Sequence, residues 1–145
     1  MIELIEIKSA CNGVLREAFP DLKIYGPDTV EGLKRPSFYT EIVPYTLNYE
    51  TVNRVKQSCG FKITLLEETP NETFELKTYA SIRKAFGLKL HIGERFITVS
   101  DIDFDYAGKE NNIMQMTLTL SWYDTITEAV DLPLIETVEI NERTS

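Results

Sequence analysis

The strongest constraint on the fold is a period-two alternation of side chains over residues 96–106 and 114–123. In the first run, two sets alternate: Phe96, Thr98, Ser100, Ile102, Phe104 and Tyr106 against Ile97, Val99, Asp101, Asp103 and Asp105. In the second run, one set is wholly apolar: Met114, Met116, Leu118, Leu120 and Trp122. A polar turn containing Gly and Asn separates the runs. The pattern predicts two long antiparallel strands that share one buried face.

Two other stretches have helical periodicity. Apolar residues recur at three- and four-residue steps over 1–18 and over 72–86, which predicts two amphipathic helices. Thr69 or Asn71 is the expected N-cap of the second helix, and Gly87 is its expected end.

Further alternating strands are expected at 38–43, 52–66 and 88–92. Strands and helices without a regular βαβ order indicate an α+β fold. We expect a mostly antiparallel β-sheet with two α-helices packed on one face and a long C-terminal hairpin. After Asp124 the sequence becomes sparse and acidic, so we expect a single domain over 1–124 and an acidic extension over 125–145.

Charge is unevenly distributed along the chain. Residues 1–98 carry 13 acidic and 13 basic side chains, whereas residues 99–145 carry 10 acidic and 2 basic ones. Recognition of nucleic acid depends on clustered Lys and Arg, so the acidic half argues against sequence-specific nucleic-acid binding. The apolar runs are too short for a membrane span. Glu3 and Glu6 stand where a secretory signal would be positively charged, so we expect a cytoplasmic protein without membrane contact.

Residues that could support catalysis or bind a cofactor are few. His91 alternates with Leu90 and Ile92, which is typical of a surface position on a strand, and no nucleophile or nucleotide-binding motif is present. The spacing of Asp101, Asp103 and Asp105 superficially resembles a calcium loop, but the Gly and Glu that such a loop requires are missing. Cys11 and Cys59 lack motif spacing and are expected to be buried and reduced. We therefore expect no catalytic residue, no metal site and no cofactor.

The remaining candidate for a functional site is the surface of the predicted sheet. Two long strands expose backbone edges that a solitary soluble protein would normally protect. Thr117, Thr119, Ser121 and Tyr123 form a neutral polar stripe on the second run. Such a stripe is compatible with solvent or with burial against another subunit, and we favour an interface.

One short pattern resembles a known family. Phe19-Pro20-x-x-x-Ile24-Tyr25 is followed by Val30-x-Gly32-Leu33-x-x-Pro36-x-Phe38-Tyr39, and then by a basic strand at 54–64 and a helix. Over roughly residues 1–124 the chain resembles the tail terminator, or tail completion, proteins of long-tailed phages and phage-like elements. The resemblance implies a non-enzymatic structural subunit that forms a ring, with six members expected. The ring would cap the head-proximal end of the tail tube, stop tube polymerisation and provide the attachment surface for the neck and head.

The resemblance also implies partners and places. The partners would be other copies of the chain, the tail tube protein, a neck or head–tail connector protein, and in contractile tails the sheath. Assembly would take place in the host cytoplasm, and the product would lie in the neck region of a virion, a prophage-derived particle or a bacteriocin-like particle.

Two sets of residues are candidates for these roles. Assembly-interface candidates are Arg54, Lys56, Phe104, Tyr106, Thr117, Thr119, Ser121 and Tyr123. Asp101, Asp103 and Asp105 are candidates for the wall of the ring's lumen, where negative charge would repel passing DNA. The alternative is that these three acids are simply solvated.

Two other functions remain open on the sequence. The chain could be a different neck or head–tail connector subunit, since these also use small α+β domains in rings. It could instead be an intracellular binding or adaptor domain that pairs through its acidic extension.

Overall fold

The computed structural model describes residues 2–28 and 32–125. These ranges contain two helices, α1 (Leu4–Ala18) and α2 (Glu72–Phe86), and six strands. The strands are β1 (Lys23–Tyr25), β2 (Ser37–Thr51), β3 (Arg54–Leu66), β4 (Lys89–Ile92), β5 (Arg95–Ala107) and β6 (Ile113–Thr125). They form one sheet in the order β1-β2-β3-β6-β5-β4, in which β1 is parallel to β2 and every other pair is antiparallel. The predicted α+β fold is confirmed.

Local signals explain where the helices begin and end. At the start of α1 the Glu6 side chain accepts a hydrogen bond from the Glu3 backbone N–H, as in a capping box. At the start of α2 the Asn71 side chain accepts from the Phe74 backbone N–H over 3.1 Å, so Asn71 is the N-cap. Gly87 ends α2 with φ of +61°, a conformation that other residues rarely adopt. Neither helix is long and apolar enough to cross a membrane.

Both helices pack on one face of the sheet, as predicted. Ile7, Cys11 and Leu15 of α1 are fully buried, because they recur on one side of the helix. The Phe61 ring of β3 packs against Phe86 of α2 with centroids 6.2 Å apart. The apolar set of β6, from Met114 to Trp122, is buried beneath the helices. The core therefore lies between the two helices and this inner face of the sheet.

The predicted alternation along β5 is wrong at one point. The pairing of β5 with β6 shifts between Val99 and Asp101, so Ser100 is an extra residue in a bulge. A bulge reverses the facing of all later side chains. Ile97 and Val99 are therefore buried on the inner face, and beyond the bulge Ile102, Phe104 and Tyr106 lie on that same face. Phe96, on the other side of the sheet, is 52% exposed.

The strand predicted over 38–43 is longer in the structure, and Pro44 marks an edge and a register shift within it rather than its end. β2 continues through Pro44 to Thr51, and β3 begins at Arg54 rather than at Val52. Because β1 pairs only with Ser37–Tyr39, Pro44 lies on an open sheet edge, where its missing N–H removes no ladder bond. The pairing with β3 shifts between Pro44 and Thr46. A short turn at residues 52–53 then joins the two strands into a long hairpin.

Candidate assembly surface

The outer face is the side of the sheet opposite the two helices. At its centre it consists of alternate residues of β3, β6 and β5: Arg54, Lys56, Ser58, Lys62 and Thr64; Gln115, Thr117, Thr119, Ser121 and Tyr123; Asp101, Asp103 and Asp105. In the described part of the chain no helix covers it. The outer face therefore contains nine of the eleven residues predicted from sequence for assembly or the lumen.

Side chains on the outer face form three parallel stripes. The basic stripe on β3 is Arg54, Lys56 and Lys62; the neutral stripe on β6 is Thr117, Thr119, Ser121 and Tyr123; the acidic stripe on β5 is Asp101, Asp103 and Asp105. Lys62 pairs with Thr117, and Thr117 pairs on its other side with Asp103, so basic, neutral and acidic residues follow one another across the sheet. Adjacent strands are about 4.8 Å apart, which places the basic and acidic stripes about 10 Å from each other. Within residues 2–28 and 32–125 the one salt bridge joins Arg95 to Asp124. The charges of both stripes are thus available to a partner.

The Tyr123 ring contacts the two basic side chains at one end of the basic stripe. The Arg54 guanidinium lies 4.1 Å from the centroid of the Tyr123 ring, and the Lys56 ammonium lies 5.8 Å from it. Cation–π contacts of this kind hold long basic side chains close to the sheet. Tyr123 itself is 40% exposed, so the cluster remains accessible.

Phe104 and Tyr106, the other two predicted interface residues, lie on the inner face. The Phe104 ring packs edge-on against Tyr79 of α2, with centroids 5.2 Å apart. The Tyr106 hydroxyl donates a hydrogen bond to Glu75 Oε1 over 3.1 Å. Both residues are half-buried within the subunit. The bulge at Ser100 accounts for this placement.

The arm, residues 44–54 at the tip of the β2–β3 hairpin, was not identified from sequence. Every residue in it is exposed, including four large apolar ones, Tyr45, Leu47, Tyr49 and Val52. Clustered exposed apolar side chains commonly mark an interaction site. β1 pairs only with Ser37–Tyr39, so in the described structure no strand pairs with the rest of that edge of β2. The alternation of Tyr45, Leu47 and Tyr49 after Pro44 was the sequence signal that could have revealed the arm.

The groove is a cleft between α2 and the open edge of β5, towards the edge of the sheet opposite the arm. It has a volume of about 510 Å³ and is lined by Tyr79, Arg83, Gly87, Leu88, Val99, Ser100, Asp101 and Ile102. Leu88 is 78% exposed. β4 pairs only with Arg95–Thr98, and the Val99 N–H donates to the Leu88 carbonyl over 2.9 Å. Beyond Val99 no strand of the described structure pairs with this edge of β5 beside the groove.

A carboxyl pair lies at the base of α2. Glu75 is 3% exposed; its carboxylate accepts from the Tyr106 hydroxyl and from the Asn71 backbone N–H. Burial, together with the adjacent Glu75 carboxyl, raises the pKa of Glu67 to about 7. Burial and the Glu75 hydrogen bond also raise the pKa of the Tyr106 hydroxyl.

A second polar cluster joins the two ends of the described domain. Asp124 is 2% exposed and accepts hydrogen bonds from Arg95, Trp122, Gln57 and the Ile2 backbone N–H. Burial alone would raise the pKa of Asp124, but the hydrogen bonds from Arg95 and Trp122 outweigh it and hold the pKa below its usual value. Among the described residues no group of three or more His, Cys, Asp or Glu side chains is arranged to bind a metal ion.

Comparison with known proteins bears on this surface. One solved chain has the same fold, with a TM-score of 0.52 and 13% sequence identity; the match covers 88% of this chain and 99% of that one. No curated protein is significantly similar to the sequence. A family model described as "Phage tail terminator protein" matches residues 6–131. The resemblance noted over 1–124 is thereby confirmed, and the chain belongs to the phage tail terminator family, whose members are structural components of the tail.

Proposed function

We propose that this protein is a non-enzymatic subunit of a ring that caps the head-proximal end of a phage tail tube. The ring stops addition of tube subunits and presents the surface to which the neck and head attach. The observation that carries the proposal is the family match over residues 6–131. Six subunits, assembly in the host cytoplasm, and contacts with the tube protein and a neck protein are parts of the same proposal.

Ring closure requires two different, complementary surfaces on each subunit. The arm and the groove lie on opposite sides of the same sheet, which is the arrangement that head-to-tail association needs. The outer face adds the basic stripe of Arg54 and Lys56 and the neutral stripe of Thr117, Thr119, Ser121 and Tyr123 as contacts with a neighbour or with the tube. These surfaces support self-assembly of the subunit.

The acidic stripe suggests which surface lines the channel. Asp101, Asp103 and Asp105 are all exposed, and they face away from both helices. We place them towards the lumen, with Asp101 at its margin, because negative charge repels DNA and lets it pass without binding. A structure of the assembled ring with these three residues on its outer wall would contradict this part of the proposal.

The direct test is to assemble tails with and without the protein and measure their lengths by electron microscopy. With the protein, tubes should have a uniform length and join heads; without it, tubes should continue beyond that length and remain headless. Tails of normal length in its absence would overturn the proposed function.

The position of the protein separates a terminator from another neck subunit. A gold label on the protein should be found at the junction of tube and neck, as one ring per tail. A label confined to the head portal would favour a connector instead.

A further inference from the structure

We infer that the arm of one subunit docks in the groove of a second copy of the chain and adds β2 to the open edge of the neighbour's β5. This inference rests on the proposed ring function and names the contact that would close the ring. It starts from two strand edges that no other strand occupies in the described structure, on β2 beyond its pairing with β1 and on β5 beyond Val99. On the β5 edge the Ile102 and Tyr106 backbone N–H groups donate to the side chains of Asp101 and Asp105, and strand addition would replace these local hydrogen bonds. An exposed edge can accept an extended segment through backbone hydrogen bonds.

The apolar side chains of the two surfaces match when the two sheets continue into one another. Leu47 and Tyr49 pair with Gln57 and Val55, so they project on the helix side of the hairpin. The groove is also on the helix side of β5, where Tyr79, Leu88 and Ile102 line it. Joining the edges therefore places exposed apolar residues of the arm against exposed Leu88 and half-buried Tyr79 and Ile102 in the groove. Burial of such groups drives association.

Charges on the opposite side of the joined sheet also match. Arg54 and Lys56 project from the outer face of the hairpin, and Asp101 projects from the outer face of β5 at the groove. With β2 inserted between them, β3 of one copy and β5 of the next are two strand spacings apart, about 10 Å, which a long basic side chain can span. The arm also carries Glu50, opposite in charge to Arg83 in the groove. Edge pairing in this orientation brings unlike charges together.

The contact is heterologous, since the arm and the groove are different surfaces on opposite sides of one sheet. A chain of such contacts either closes into a ring or continues as a filament. A face-to-face dimer through the outer face would leave both arm and groove unoccupied. The two arrangements therefore predict different cross-linked products.

Paired cysteines provide the test. In the double variant with Leu47→Cys and Leu88→Cys, mild oxidation of assembled tails should link successive subunits and give a ladder of covalent multimers that ends at the ring number. Each single variant should give none of the ladder. Cys11 and Cys59 are buried and should not contribute.

Interface-disrupting variants supply the second measurement. Leu47→Asp on the arm and Leu88→Asp in the groove should each abolish rings, whereas Ile5→Asp, at a similarly exposed apolar residue on α1, should not. An equimolar mixture of the two defective variants should give one-to-one dimers, because each retains the surface that the other lacks. Unchanged thermal midpoints of the subunits would show that loss of rings is not loss of folding.

Three outcomes would reject the contact. These are rings that survive both Asp variants, an absence of cross-links in the double-cysteine variant, and a ladder that disappears when the chain is truncated after residue 125. In each case tails that still require the protein for correct length would leave the terminator function standing. Tails of normal length without the protein would reject the function itself.

Discussion

The Tyr45 ring lies over Gly60, so that a Cβ atom at Gly60 would overlap the ring. Tyr45 stands at the register shift where the arm begins, and Gly60 lies opposite Val43 in the middle of β3. An aromatic ring over a strand glycine covers backbone that would otherwise lack a packing partner. The contact packs the base of the arm against the sheet, and only glycine at position 60 leaves room for the ring in this position.

A double-mutant cycle should reveal this relationship through a change of sign. Gly60→Ala in the natural sequence should destabilise the protein by about 1 kcal/mol, because the ring must turn towards solvent. In the Tyr45→Ala background the same change should be neutral or stabilising by about 0.5 kcal/mol, since glycine is unfavourable inside a strand. Urea unfolding of the four proteins measures the coupling. Additive effects would mean that the ring and the glycine do not interact.

Removal of Asp124 should be costly. Asp124→Ala leaves the donors of Arg95, Trp122, Gln57 and Ile2 without their shared acceptor in a buried site. Arg95 is 44% exposed and can turn to water, so the cost comes mainly from leaving the Trp122 and Gln57 donors without an acceptor. We expect a loss of about 2–3 kcal/mol in the free energy of unfolding. Urea denaturation followed by Trp122 fluorescence measures it.

The matched control for Asp124 is Asp103→Ala. Asp103 is an exposed acid on the outer face of the same sheet, so its removal should change stability by no more than about 0.5 kcal/mol. Similar losses for the two variants would show that the buried cluster contributes nothing special.

The free energy of unfolding should fall as the pH rises from 4.5 to 7, because the folded protein keeps Glu67 protonated in a range where the unfolded chain does not. The ordinary pKa of Glu67 is 4.5, and in the folded protein it is about 7. In that interval the native state keeps a proton that the unfolded state has released, so the free energy of unfolding decreases with pH. Glu67→Gln should remove this slope and raise the thermal midpoint at pH 8. Thermal unfolding between pH 4.5 and 8 is the measurement.

Glu68→Gln, at the exposed neighbouring residue, is the control for Glu67 and should retain the natural slope. An unchanged slope in Glu67→Gln would place the responsible proton elsewhere. Below this interval stability should fall again, because the lowered pKa of Asp124 makes its contribution disappear as that carboxylate is protonated.

Both cysteines should be inert while the protein is folded. Cys11 and Cys59 are buried; burial raises the pKa of Cys59 to about 11, and burial and the neighbouring Cys59 raise that of Cys11 further. Because the thiolate is the reactive form, labelling by a thiol reagent at pH 8 should be on the order of a hundredfold slower than in the unfolded chain. Reaction followed with and without urea measures the ratio, and equal rates would show that the two thiols are accessible.

Much of the fold follows from periodicity along the chain. The helical repeats of α1 and α2, the Asn71 cap and the alternation of β6 each arise from neighbours a few residues apart, so sequence reasoning identified them correctly. The placement of Arg54 and Lys56 on one face followed from the same two-residue period. Asp101, Asp103 and Asp105 share that face only because of the bulge at Ser100. The family could also be predicted from the sequence, because its short motifs resemble those of the family's members.

The errors came from places where long-range contacts change the period. The bulge at Ser100 depends on how β5 meets β6, and it turned Phe104 and Tyr106 towards α2. The extension of β2 beyond Pro44 depends on the absence of a neighbouring strand at that point of the described sheet. Neither condition is written in local sequence.

The sequence by itself determined an α+β domain with one apolar sheet face beneath two helices and a separation of basic from acidic strands, because those properties depend on side-chain order alone. The tertiary structure decided that an exposed arm and an apolar groove lie on opposite sides of one sheet. It also decided that the carboxyl of half-buried Glu67, just after β3, lies beside the buried carboxyl of Glu75 on α2. Proximity between residues far apart in the chain arises only when hydrogen-bond register and helix packing are established together.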